Sequence, residues 1–197
     1  MHLHARASWQ VSYSDFPQAE ATALYVRDAA GLQPVMTPDL PPLAPAVPAR
    51  PVPGVDLRVA AEQWARWWGR RDVHVPQSLP MPVEEQWQQV ADGPELRAVL
   101  AAHFMDGLRW CSRMRSQQHA ALPPHRRHQR VAAGELVREL EEEAGRGARA
   151  FAMYVTELPL AGAGSWLVGD ELIVTCAFLD EQPVARERLR EVLAQRV

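Results

Sequence analysis

The stretch with the most chemical potential runs from Gly107 to Gly134, GLRWCSRMRSQQHAALPPHRRHQRVAAG. It interleaves Arg109, Arg113, Arg115, Arg126, Arg127 and Arg130 with His119, His125 and His128, and contains no Asp or Glu. An uncompensated basic arm attracts phosphate, and Trp110 in its midst offers a ring on which a base can stack. Arg113, Arg115, Arg126, Arg127 and Arg130 are therefore candidate nucleic-acid contacts. The alternative is local neutralisation. Glu135, Glu139, Glu141, Glu142 and Glu143 follow at once and can fold back on the arginines, because surface ion pairs are easily arranged. The chain as a whole carries a formal net charge of −3, so no global field favours a polyanion or an anionic membrane.

Metal and acid–base chemistry have weaker signals. His119, His125 and His128 with Cys111 upstream supply nitrogen and sulfur donors, but no CxxC or HExxH spacing accompanies them. Solvated histidines are the simpler reading, so no metal and no cofactor are expected. His103 and Asp106 stand about one turn apart on a predicted helix, the spacing of a base with a carboxylate that orients it. A small enzyme with a pocket near them is one reading of the chain. No nucleophile elbow, P-loop or dinucleotide-binding glycine pattern supports it. Gly162-Ala163-Gly164 leads into a predicted strand rather than a helix N-terminus, which argues against phosphate cradling.

Two further features suit protein binding. Leu57, Ala60, Ala61, Trp64, Trp67 and Trp68 form an apolar stripe at helical spacing. Trp64, Trp67 and Trp68, with Trp87 from the next segment, are the candidate protein interface, unless they are core. Between Pro34 and Pro53, eight of 20 residues are proline, which excludes a helix or central strand. Pro42, Pro45, Pro48 and Pro51 recur every three residues, the period of polyproline II, with Arg50 beside them. This is either a PxxP ligand for an aromatic groove or a stiff linker or strap, residues 34–54.

The elements that must hold these residues follow from periodicity and caps. Trp9, Val11 and Tyr13 alternate with Ser8, Gln10 and Ser12, as in an edge strand with one wet face. Asp15 is the expected N-cap of a helix over 16–30, with Gly31 as its stop. Asp56 caps a helix over 57–70, in which Glu62 and Arg66 pair one turn apart. Pro82 opens a short helix holding Val83, Trp87 and Val90. Pro94 opens a longer one reaching His119, where mid-helix Gly107 marks a close helix crossing. A further helix spans 128–144, with Gly145 as its stop. Residues 149–158, 165–168 and 171–179 read as a three-stranded antiparallel meander, with Gly169-Asp170 as a two-residue hairpin turn. The last of these strands is apolar on both faces and so belongs in the sheet's centre. A final helix over 184–195 follows Pro183.

These elements predict one α+β domain over 1–197. Its antiparallel sheet joins the N-terminal strand to the C-terminal meander, and a multi-helix layer over 56–145 covers it. Residues 149–197 supply the meander and the last helix. All 21 basic residues are Arg, Lys and Asn are absent, and Ile173 is the one isoleucine. That bias is expected of a GC-rich bacterial genome. Cys111 and Cys176 are expected as free thiols. The N-terminus shows no signal-peptide pattern and no run spans a membrane, so a cytoplasmic protein is expected. The leading functional expectation is a non-enzymatic protein-binding or assembly module, with a protein partner or a second copy of itself. Nucleic-acid or phosphate binding through 107–134 is the alternative.

Overall fold

A computed structural model describes residues 9–70, 93–121 and 132–197, with the side chains of 118–121 left out. These residues form six helices and four strands, an α+β architecture. Two compact units result. Described residues 9–15, 120–121, 132–158 and 162–197 make the first; 16–70, 93–119 and 159–161 make the second.

The first unit is built on a sheet of β1 (Trp9–Asp15), β2 (Phe151–Leu158), β3 (Ser165–Val168) and β4 (Glu171–Thr175), ordered β1-β2-β4-β3. It is mixed rather than antiparallel. β1 runs parallel to β2, with Trp9 opposite Phe151. β2 runs parallel to β4, with Val155 opposite Leu172. Only β3 and β4 are antiparallel, joined through Gly169 at φ 60°, where glycine takes the left-handed backbone without strain. The meander expected from the sequence is thus corrected. Its hairpin stands, but β4 inserts between β2 and β3. Leu172, Ile173 and Val174 are all buried, so both faces of β4 need cover, and a central slot provides neighbours on both edges. β3 is half-buried throughout and takes the edge.

β4 also ends earlier than expected, because the Thr175 hydroxyl accepts hydrogen bonds from Phe178 N and Gly164 N at 3.0 and 3.2 Å. That side-chain cap turns Cys176–Asp180 into a short helix, a local competition that a continuous apolar run does not reveal. Helices Ala133–Ala144 and Gln182–Ala194 pack through Leu136, Val137, Leu140, Leu189, Val192 and Leu193 onto Met153, Val155, Leu172 and Val174.

The second unit holds α1 (Gln18–Ala30), α2 (Leu57–Gly69) and most of α3 (Pro94–Ala121). α1 begins two residues beyond the expected start. Pro17 is its N-cap, and no side chain caps it. Nearly all of its circumference from Ala21 to Ala30 is buried, so it is the core helix of this unit. Gly31 closes it at φ 70°. Asp56 caps α2 as expected, accepting from Arg58 N and Val59 N. The ion pair on its outer face is Arg58–Glu62 at 2.6 Å rather than Glu62–Arg66. Gly107 of α3 does mark a close crossing. A Cβ there would lie 3.0 Å from Thr22 Cγ2 and 3.1 Å from Tyr25 Cδ1 of α1. The short helix expected after Pro82 lies outside the described residues. Among the described residues no helix is long and apolar enough to cross a membrane.

Candidate functional site

Proline has no N–H, so a proline-rich chain offers many carbonyls and few donors. α1 supplies what is missing. Arg27, almost fully buried, donates from Nη1 to Leu40 O at 2.9 Å and from Nη2 to Pro41 O at 2.7 Å. Its Nε holds Asp28 at 2.7 Å, and the other Asp28 oxygen accepts from Leu43 N at 2.7 Å. The planar fork of the guanidinium suits this double carbonyl contact, and a lysine could not reproduce it. Ala44 N donates to Pro159 O, and Ala161 N to Pro42 O, at 2.7 and 2.8 Å. Further along, Arg50 N donates to Ala29 O. Leu40 and Leu43 are buried by this docking. Pro42, Pro45, Pro48 and Pro51 all remain exposed, as do Ala46 and Ala49. The Thr37–Pro38 and Ala44–Pro45 bonds are cis.

Arg50 is the hub where this segment meets α1 and α3. Its Nη2 donates to Asp106 Oδ2 at 3.0 Å and to Tyr25 Oη at 3.2 Å. Asp106 accepts a second guanidinium, from Arg109, at 2.9 Å. The Arg50 hydrogen bond holds the Asp106 carboxyl below its ordinary range, with the charges of Arg50 and Arg109 adding to the effect. Beside this cluster His103 is buried next to Arg50. His103 Nε2 has no hydrogen-bond partner among the described residues. Burial, then the charge of Arg50, pushes the His103 pKa down, which favours the neutral imidazole.

This geometry differs from a base–carboxylate dyad. His103 lies buried beside Arg50, while the Asp106 carboxylate is taken by the two guanidinium groups of Arg50 and Arg109. Tyr25, His103, Asp106 and Arg109 gather around Arg50 and clamp the proline-rich segment. Arg50 and Asp106 are 56 positions apart, and no local spacing could have linked them. The nearest signal was the place of Arg50 beside the proline period.

The other candidate residues are dispersed. Trp64, Trp67 and Trp68 lie inside, 0%, 6% and 7% exposed, so they present no docking face. Trp64 stacks on Trp68 with centroids 5.3 Å apart, donates Nε1 to Ala23 O, and lies under the Arg27 guanidinium. The stripe is core, and Trp87 lies outside the described residues. Arg113 is exposed. Arg115 donates to Phe16 O at 2.9 Å, steadying a residue held at φ 49°, a region costly for a non-glycine. Trp110 packs against Phe16 and Tyr25 rather than standing free. Arg126, Arg127, Arg130, His125 and His128 lie outside the described residues, as does the His119 side chain. Glu139 and Glu143 pair with Arg186 and Arg190, so two of the acids expected to neutralise the basic arm face the C-terminal helix instead.

Neither cysteine is in a disulfide, and burial pushes the Cys111 pKa up. Among the described residues no cluster of three His, Cys, Asp or Glu could hold a metal ion. Comparison with protein-family models, curated proteins and solved structures finds no match for the chain.

Proposed function

We propose that the protein is a binding module that docks a protein partner along its exposed proline edge. One observation carries this reading. Pro42, Pro45, Pro48 and Pro51 all face solvent, while the same segment is tied down through Arg27, Asp28 and Arg50. A segment anchored in this way has already lost its backbone freedom, so docking requires little further ordering. A proline edge is also a low-entropy ligand that aromatic grooves accept. The tryptophan stripe, first expected to make the interface, acts instead in the core that supports the edge.

Site-specific photo-crosslinking tests the proposal. A crosslinking residue at Ala46 or Ala49 is expected to give a discrete protein adduct, heterologous or self. The adduct should vanish when Pro48 and Pro51 become Ala. The same probe at Val184, an exposed apolar residue of the C-terminal helix, should give none. Absence of any adduct from Ala46 and Ala49, or persistence of one in the double Pro→Ala variant, refutes the proposal.

A further inference from the structure

We infer that the partner is a domain whose aromatic groove ends in carboxylates, and that it reads Pro45, Pro48 and Arg50 as a PxxPxR sequence. The inference rests on the proline-edge reading and narrows it to one class of partner. In Pro45-Ala46-Val47-Pro48-Ala49-Arg50, prolines three apart share one edge of an extended chain, where each can enter a slot between aromatic rings. Arg50 follows two residues after the second proline, so its guanidinium leaves the groove at one end. A carboxylate is the group that satisfies a guanidinium best there, because the two planes can meet through paired hydrogen bonds.

The charge around Arg50 fits such a partner. Arg50 and Arg109 have side chains 55% and 64% exposed, and they share the single Asp106 carboxylate. Two positive charges against one negative leave this end of the edge positive, and the neutral His103 adds nothing to it. Asp106 then has a second role, as an internal competitor that already occupies Arg50 in the way a partner's carboxylate would. It need not be stranded when Arg50 turns away, because Arg109 still holds it at 2.9 Å. Asp106 thus tempers affinity, and Arg109 lowers the cost of release.

The test uses the full-length protein and, as probe, a purified SH3 domain selected for PxxPxR ligands. Calorimetry at low and high salt gives the affinity. Expected are binding that weakens with salt, loss of binding in Pro48→Ala, a drop of about tenfold in Arg50→Gln, and a gain of several-fold in Asp106→Asn. Arg50 also helps to hold the segment, so Asp106→Asn is the variant that separates recognition from folding. It leaves both guanidinium groups in place, and its melting temperature is recorded beside the affinity. No binding of the probe by either the natural protein or Asp106→Asn overturns the inference, as does unchanged affinity in Arg50→Gln. If that happens while Ala46 and Ala49 still crosslink to another protein, the proline edge stands and this class of partner falls. If the crosslinks are absent too, both fall.

Discussion

His103 shows how much a single residue can depend on its setting. Its burial and the nearby Arg50 charge hold its pKa below the ordinary histidine value, about 6.5. The unfolded chain therefore takes up a proton at a pH where the folded chain does not. Stability from this residue is complete above the ordinary value and is lost as the pH falls through it toward the folded-state pKa. Urea denaturation between about pH 7 and 5 is expected to show a steeper loss for the natural protein than for His103→Gln. Parallel declines would mean that the imidazole does not carry the effect. Protonation would also place a buried N–H at Nε2, which has no acceptor among the described residues. The clamp on the proline edge should therefore loosen in acid. Sequence spacing paired this histidine with Asp106, one turn along α3. Folding instead brought Arg50 beside it, from a segment with no periodic relation to the helix.

Among the elements, the α1–α3 crossing gives the sharpest test. In an exposed helix, Gly107→Ala should stabilise by about 1 kcal/mol. Here the new methyl would crowd Thr22 and Tyr25, both buried on the facing helix. Overpacking of this kind costs about 1–3 kcal/mol, so a net loss of ~1 kcal/mol is expected in thermal or chemical denaturation. A more stable variant would show that the helices can move apart freely. The strands yield a different lesson. Alternation correctly placed β1, β-forming runs between turn signals placed β2, β3 and the start of β4, and Gly169-Asp170 correctly marked the hairpin. The pairing of β2 with β4 was not legible, because two strands joined by a short connection usually pair with each other. Here the connection itself docks elsewhere. Pro159 and Ala161 hydrogen-bond residues 44 and 42, and Leu160 bridges Leu43. The central slot beside β2 then goes to the more apolar β4. Its early end was equally hidden, since the Thr175 cap outweighs the continuous apolar run of Cys176–Leu179.

For the whole molecule, stability should reside in the two apolar cores rather than in surface charge. In the sheet unit, the Arg186–Glu139 and Arg190–Glu143 pairs connect two helices that already share Leu136, Leu140, Leu189 and Leu193. These pairs are partly exposed to solvent, so Arg186→Ala and Arg190→Ala should each cost less than about 1 kcal/mol. Leu136, fully buried, should cost about 2–5 kcal/mol when cut to Ala. Comparable losses from both kinds of variant would overturn this ranking.

By itself the sequence determined most element types and many boundaries: the Asp56 cap, the glycine stops at Gly31 and Gly145, the Gly107 crossing and the proline-rich interruption. Each depends on side-chain and backbone energies acting over a few residues, so each leaves a short-range pattern. Only the tertiary structure decided strand order and direction, the burial of the tryptophan stripe, and the union of Tyr25, Arg50, His103 and Asp106. Those outcomes depend on which surfaces meet after distant segments close on one another. Burial and charge pairing act across space, and no spacing along the chain encodes them.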